Sequence, residues 1–219
     1  MQFNDDEVVA GQAVYTKSTL PFYDLVVMGI SNQFIWRCPT ARQRALYDQY
    51  VTVNHLDVGA GTGYYLDHCR FPTQSPRLAL LDLNLSALDF TAKRIARYHP
   101  ETYQHNILEP IEFEVDKFDS VSINYLLHCL PGTMQEKTVI FEHLQSLMNP
   151  DAVLFGSTLL QSGVTQNWAS RRLMAFYNRR GIFSNREDSF VDLQQALTQR
   201  FREVSIEVVG CAAIFATRL

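Results

Sequence analysis

The sequence predicts an α/β fold: a mostly parallel sheet covered by helices on both faces and finished by a C-terminal antiparallel hairpin. Three observations carry that prediction. Short apolar, β-branched runs alternate with segments of helical period from Val51 to the end of the chain. In soluble proteins that order gives parallel strands joined by crossover helices. The first run, Val51–Val58, stops at a glycine-rich turn, Gly59-Ala60-Gly61-Thr62-Gly63. The last two runs, Val204–Val209 and Cys211–Thr217, are separated only by Gly210, as a hairpin requires.

The elements follow in order. Val51–Val58 reads as a buried strand before a tight turn, and Tyr64–Cys69 as the helix after it. Arg77–Asp82 is an apolar strand ending in an acid. Leu85–Tyr98 has Leu85, Leu88, Ala92, Ile95 and Ala96 at helical spacing, with Ser86 as its start signal and Pro100 just beyond its end. Glu101–Ile107 is a weak third strand. Phe118–Asn124 is the fourth, continuing into Tyr125–His128. Met134–Met148 is helical, Asn149-Pro150-Asp151 is a turn, and Ala152–Leu160 is the fifth strand. Ser189–Phe201 is the last helix, and the hairpin lies at the sheet edge.

Bulk properties narrow the choice of function. The chain has 219 residues, 47% hydrophobic and 19% charged, enough to fill the core of one large domain. No Pro/Gly/Ser-rich linker divides it. We expect a single domain with a helical cap at 1–50, a ligand-binding core at 51–160, an insertion at 161–188 and a last helix with hairpin at 189–219. The formal net charge of −4 disfavours a nucleic-acid binder, which needs a basic patch. Arg171, Arg172, Arg179 and Arg180 have the spacing of one solvated helix. Cys38, Cys69, Cys129 and Cys211 form no C-x-x-C pair and match no zinc spacing, so no metal is expected. They read as reduced thiols of a cytoplasmic protein. The acidic N-terminus is unlike a secretory signal, and no apolar run is long enough to span a membrane.

The glycine turn is the chemical signal. Backbone that approaches a ligand closely carries no side chain there, and glycine accepts positive φ at little cost. Asp82 lies 19 residues after Gly63, at the end of the next strand. A carboxylate at that place can accept two hydrogen bonds from a ribose diol. Both features fall at carboxyl ends of strands, where ligands bind in such sheets. Dinucleotide enzymes want a small residue where this chain has Tyr64.

Asp57-x-Gly59-x-Gly61-x-Gly63 instead resembles motif I of class I S-adenosylmethionine-dependent methyltransferases. The resemblance runs from about residue 53 to the end and includes the terminal hairpin. It implies a Rossmann-like seven-stranded sheet, S-adenosylmethionine as cofactor and S-adenosylhomocysteine as product. It implies that Asp57, Gly59, Ala60, Gly61 and Gly63, with Thr62 and Tyr64, surround the methionine part, Asp57 acting through neighbouring backbone and water. Asp82 would hold the ribose, and Leu83 and Asn84 would flank the adenine. The family often has an acid and an apolar residue after the third strand; here Asn106-Ile107 stands there, and an amide oxygen can accept from the adenine amino group. Asn124-Tyr125-Leu126-Leu127-His128 matches the loop whose backbone meets the methionine end.

For the acceptor, the resemblance points to small-molecule enzymes, several from natural-product pathways. His128 is the first candidate for a general base, with Tyr23 or Tyr15 of the cap as a second. Tyr23-Asp24-Leu25-Val26-Val27 resembles the helix that often precedes motif I. Tyr15, Trp36, Tyr177 and His128 are expected to line the acceptor pocket between cap and insertion. His55, His99 and His143 receive no role. A homodimer is a further expectation. Two other functions stay open: a catalytically silent cofactor-binding subunit, and an NAD-dependent oxidoreductase.

Overall fold

A computed structural model describes residues 24–219, apart from the side chains of residues 25–27. Asp24–Ile35 winds as a π-helix and leads into α1 (Thr40–Tyr50). The body then runs β1 (Asn54–Val58), α2 (Tyr64–His68), β2 (Arg77–Asp82), α3 (Leu85–Arg94), β3 (Glu101–Gln104) and β4 (Phe118–Asn124). It continues with α4 (Met134–Lys137), α5 (Ile140–Ser146), β5 (Met148–Leu159), α6 (Trp168–Arg179), α7 (Phe190–Thr198), β6 (Glu203–Val209) and β7 (Ala212–Arg218).

The seven strands form one sheet in the order β3-β2-β1-β4-β5-β7-β6. β1 to β5 pair in parallel, and β7 runs antiparallel to both β5 and β6. The chain therefore reverses direction of strand order at β1 and β4, beside the glycine turn. The expected hairpin is present, but only β6 lies at the edge; β7 is inserted next to β5.

Side-chain alternation divides the core between the two faces. Leu56, Val58, Ala79, Leu81, Leu154 and Phe215 pack on one face against Phe141 and Leu144 of α5 and Leu193 and Leu197 of α7. Leu78, Leu80, Phe155 and Ile214 pack on the other against Tyr47 of α1, Leu66 of α2, Leu88 of α3 and Met174 of α6.

Several boundaries differ from the sequence expectation for identifiable reasons. Residues Asn149-Pro150-Asp151 are a bulge inside β5 rather than a turn before it. Phe118 pairs with Met148, but Ser120 pairs with Val153, and Asp151 takes φ 63° in between. A bulge tolerates proline because no ladder hydrogen bond is demanded of it. The 134–148 helix is two short helices, the first started by a Thr133–Glu136 capping box. Helix α3 ends at Arg94 and gives way to a 3-10 turn at Ala96–Tyr98. Its cap is Asn84, whose side chain accepts from the N–H groups of Ser86 and Ala87, not Ser86 itself. β4 stops at Asn124; a 3-10 turn, Leu127–Cys129, follows.

Candidate functional site

The turn after β1 is built from three left-handed glycines, with φ of 77°, 53° and 69° at Gly59, Gly61 and Gly63. They are not equivalent. A Cβ on Gly63 would lie 2.6 Å from Cγ2 of Thr91, so that glycine lets α3 pack onto the turn. Thr91 completes the contact by donating to the carbonyl of Gly61 at 3.2 Å. A Cβ on Gly59 would instead lie 3.0 Å from Cδ1 of Leu126, and Gly59 and Gly61 line two adjoining pockets.

The first pocket is walled by Gly59, Gly61, Asp82, Leu83, Asn106, Ile107, Tyr125 and Leu126, with Cys129, Leu130 and Pro131 beyond. The second is walled by Asp57, Gly59 to Tyr64, Asn124 and Tyr125, with Met28, Tyr47 and Tyr65. The two meet at Gly59, Gly61 and Tyr125. They lie side by side across the carboxyl ends of β1, β2 and β4.

One carboxylate stands in each half. Asp82 is half-buried, and its Oδ1 accepts from the N–H of Asn84 at 2.8 Å. Burial pushes its pKa up to about 6 against the pull of the N–H groups of Asn84, Gly61, Ala60 and Leu83. Asp57 is buried, with Oδ2 accepting from Tyr47 at 2.8 Å and from Ser122 at 2.6 Å. Burial raises it to about 6 as well, against those two hydrogen bonds. The backbone of Tyr125 is held at φ 56°, and its phenolic oxygen is buried on the side of Gln43 and Cys38.

Asp24 ties the cap to the turn. It accepts from Thr62 Oγ1 at 2.6 Å and pairs with Arg94, which also bonds Asp67 at 3.0 Å and the Thr62 carbonyl at 3.2 Å. Tyr64 stacks on His68 below Arg94.

Most of the residues expected around a cofactor come together here: Asp57, Gly59, Ala60, Gly61, Thr62, Gly63, Tyr64, Asp82, Leu83, Asn106, Ile107, Asn124, Tyr125 and Leu126. Asn84 lies off the walls because its side chain caps α3. Asn106 is on the wall, but its Oδ1 already accepts from Leu108 N–H at 3.2 Å and its Nδ2 donates to Glu109.

The acceptor-side expectations fare differently. His128 is 3% exposed and lines neither pocket. Its ring packs edge-on against Phe183 at 4.5 Å, Nδ1 accepts from Leu159 N–H at 3.3 Å, and desolvation with nearby Lys137 lowers its pKa to about 3. Trp36, also 3% exposed, packs against Phe183 in the core. Tyr177 is half-buried against Phe183 at 4.8 Å and off both pockets. Tyr15 and Tyr23 lie outside the described residues.

Sequence reasoning missed Met28, Tyr47, Tyr65, His105 and Leu130 on the walls, and Ser122 behind Asp57. Ser122 left a trace: Ser120 and Ser122 lie two apart on a buried strand, as His55 and Asp57 do on β1. Polar residues two apart on a buried strand share one face and need partners there.

Comparison with known proteins fits this geometry. A model of the methyltransferase domain matches residues 56–154. Demethylluteothin O-methyltransferase of Streptomyces thioluteus is 41% identical, over 96% of this chain and 92% of its own. N-methyltransferase vrtF of Penicillium aethiopicum is 43% identical, over 82% of this chain and 76% of its own. The solved DhpI-SAH complex shares the fold, with a TM-score of 0.67 at 14% identity over 99% of this chain and 98% of that one. The class that fold and site define is the Rossmann-like methyl-transfer enzyme. The chain belongs to the S-adenosylmethionine-dependent methyltransferase family and uses S-adenosylmethionine as its cofactor. The NAD-dependent alternative is thereby set aside.

The residues present suit that cofactor. A half-buried carboxylate beside apolar Leu83, Ile107 and Leu126 fits a nucleoside, and a second carboxylate beside exposed turn backbone fits a zwitterionic amino-acid end.

Proposed function

We propose that this chain transfers the methyl group to a small, largely apolar acceptor of the natural-product type, with an oxygen acceptor the first to test. The observation that carries the reading is that two pockets, one lined by Asp82 and the other by Asp57, adjoin at Gly59, Gly61 and Tyr125; we read them as one groove. The names of the relatives, a demethylluteothin O-methyltransferase, a physcion biosynthesis cluster O-methyltransferase and an N-methyltransferase, support the acceptor class.

In this reading Asp82 holds the ribose diol, and Leu83, Asn106, Ile107 and Leu126 surround the adenine. Asp57 and the backbone of Gly59 to Gly63, with Thr62, Tyr64, Asn124 and Tyr125, hold the methionine end. The bound cofactor supplies a sulfonium methyl with a neutral sulfide as leaving group. The protein's part is alignment of acceptor, methyl and sulfur, which in a closed site is worth up to about 7–11 kcal/mol. His128 serves here as a packing residue beneath the segment after β4 instead of as the base, because its Nδ1 lone pair is occupied and its basicity is low. Trp36 and Tyr177 shape the wall around Phe183 without touching the groove.

We also take the protein to be one methyltransferase domain that works in the cytoplasm as a homodimer. The four free cysteines support that location; among the described residues no helix is long and apolar enough to cross a membrane. Exposed Phe34, Trp168 and Phe176 support an interface, to be checked by light scattering.

The test is incubation of the purified protein with S-adenosylmethionine and a panel of phenolic, hydroxylated and amine acceptors, read by mass spectrometry. Methylation of a phenol or alcohol is expected. S-adenosylhomocysteine binding with no turnover on any acceptor would instead favour the silent-subunit alternative.

A further inference from the structure

His55 lines neither pocket, yet it belongs to a buried chain of hydrogen bonds that ends on Asp57. Strand register creates the chain. His55 lies opposite Ser120 and Asp57 opposite Ser122 in the parallel pairing of β1 with β4. Ser122 Oγ is 2.6 Å from Asp57 Oδ2 and 3.1 Å from His55 Nε2. His55 Nδ1 is 2.8 Å from Ser120 Oγ, which accepts from the N–H of Thr52 at 3.1 Å. The Thr52 hydroxyl donates onward to the Asn54 carbonyl at 2.9 Å. The imidazole itself is fully buried among Tyr47, Phe71 and Phe155, stacked on Phe155 with ring centres 5.7 Å apart.

With Asp57 ionised, one placement of protons satisfies these contacts. Ser122 has a single hydrogen, and Asp57 takes it. Ser122 can then only accept from the ring, so Nε2 carries the imidazole proton. Nδ1 keeps its lone pair, and Ser120 donates to it while accepting from Thr52. A proton on Asp57 Oδ2 would go to Ser122, Ser122 would then donate to Nε2, and Nδ1–H would donate to Ser120, whose own hydrogen can turn to Thr52 Oγ1 at 2.9 Å.

We propose that His55 is a positioning residue of the cofactor site: its neutral Nε2–H tautomer commits the Ser122 hydroxyl to Asp57 Oδ2 and leaves the other carboxylate oxygen for the cofactor's amino group. This rests on the reading of Asp57 as the acid at the methionine end. Burial keeps the ring neutral, with its pKa lowered to about 3, so it acts through its tautomer and not through charge. Among the described residues, the other titratable groups facing Asp57 are Tyr47 of α1, Cys69 after α2 and Asp82 of β2, with Tyr65 stacked behind Tyr47.

Nitrogen-15 NMR of the full chain reads the tautomer directly, with the His55 signal assigned by its loss in His55→Gln. The proposal expects Nε2–H at pH 7.5, and in the absence of ligand a change toward Nδ1–H as pH falls through about 6, where Asp57 takes a proton. Calorimetry with S-adenosylhomocysteine provides the second readout, with thermal unfolding confirming that each variant folds. His55→Leu should bind about fivefold more weakly, the worth of one ordinary hydrogen bond. His55→Gln, whose side-chain amide can donate to Ser122, should recover most of that affinity. Asp57→Asn should weaken binding at least as much as His55→Leu. Wild-type affinity in Asp57→Asn would overturn the reading of Asp57 itself. Weak binding by Asp57→Asn with wild-type affinity in His55→Leu would overturn the role of His55, and so would an Nδ1–H ring at pH 7.5. If His55→Leu does not fold, the tautomer and the Gln variant decide.

Discussion

At the scale of the residue, the proposed reading makes Asp82 the side chain on which the nucleoside end of the site depends. Its carboxylate already gathers backbone N–H groups from the turn and from Asn84, which hold it in place for a diol. Hydrogen bonds to a charged group are worth about 1.5–3 kcal/mol each. Asp82→Ala should therefore weaken S-adenosylhomocysteine by at least about tenfold in calorimetry; a change below about twofold would remove Asp82 from the site. His128 makes a different prediction. Its pKa is 6.5 in the unfolded chain and about 3 when folded. Below 6.5 the unfolded chain binds a proton that the folded protein refuses. The stability this residue contributes is thus whole above pH 6.5 and is lost as pH falls toward 3. His128→Asn should lose less stability than the wild type between pH 7 and pH 4.5 in urea unfolding, and parallel losses would contradict the burial. These two residues also show what sequence can and cannot disclose. Asp82 was legible because a strand end fixes where its side chain can act. His128 follows the fourth strand just as suggestively, but the 3-10 turn at Leu127–Cys129 carries its ring into the core beside Phe183. No pattern of residue types distinguishes a ring facing a pocket from one facing the interior.

At the scale of the element, the insertion at 161–188 is held to the body at its far end. Ser184 N–H donates to the His128 carbonyl at 2.8 Å, and Asn185 Nδ2 donates to the Leu159 carbonyl at 2.9 Å. Lys137 of α4 makes the charged part of this attachment. It is fully buried, with Nζ 2.8 Å from Asp188 Oδ2 and 2.7 Å from the Ser184 carbonyl. A buried pair is not itself strong support for stability, but breaking it strands a charge and costs about 3–5 kcal/mol. Lys137→Met should lose that much in urea unfolding, and Lys137→Met with Asp188→Leu should recover part of it. A loss below about 1 kcal/mol in the single variant would show that Asp188 finds water there. Nothing in the sequence announces this pair, because the partners are 51 residues apart and each type is normally a surface residue. The bulge at Asn149-Pro150-Asp151 was hidden for a related reason. Asn-Pro-Asp is a turn signal locally, and only pairing with β4 keeps it inside a strand.

At the scale of the molecule, the fold was the most legible level. Alternation of strand and helix, a glycine turn after the first strand and a final pair of β-rich runs are properties of the whole chain that tertiary context seldom overrides. The strand order then does what no single motif does: it brings the ends of β1, β2 and β4 to one edge, so that Asp82 lines one pocket and Asp57 and Asn124 the adjoining one. Read as one groove, the two pockets should hold the cofactor along their length. A crystal structure with S-adenosylhomocysteine tests it most directly. Both ribose hydroxyls should lie within hydrogen-bond distance of Asp82, about 3.2 Å or less. The adenine should lie between Leu83, Ile107 and Leu126, and the amino-acid end against Gly59 to Gly63 on the Asp57 side. A ligand bound elsewhere, or one whose ribose is out of reach of Asp82, would contradict it.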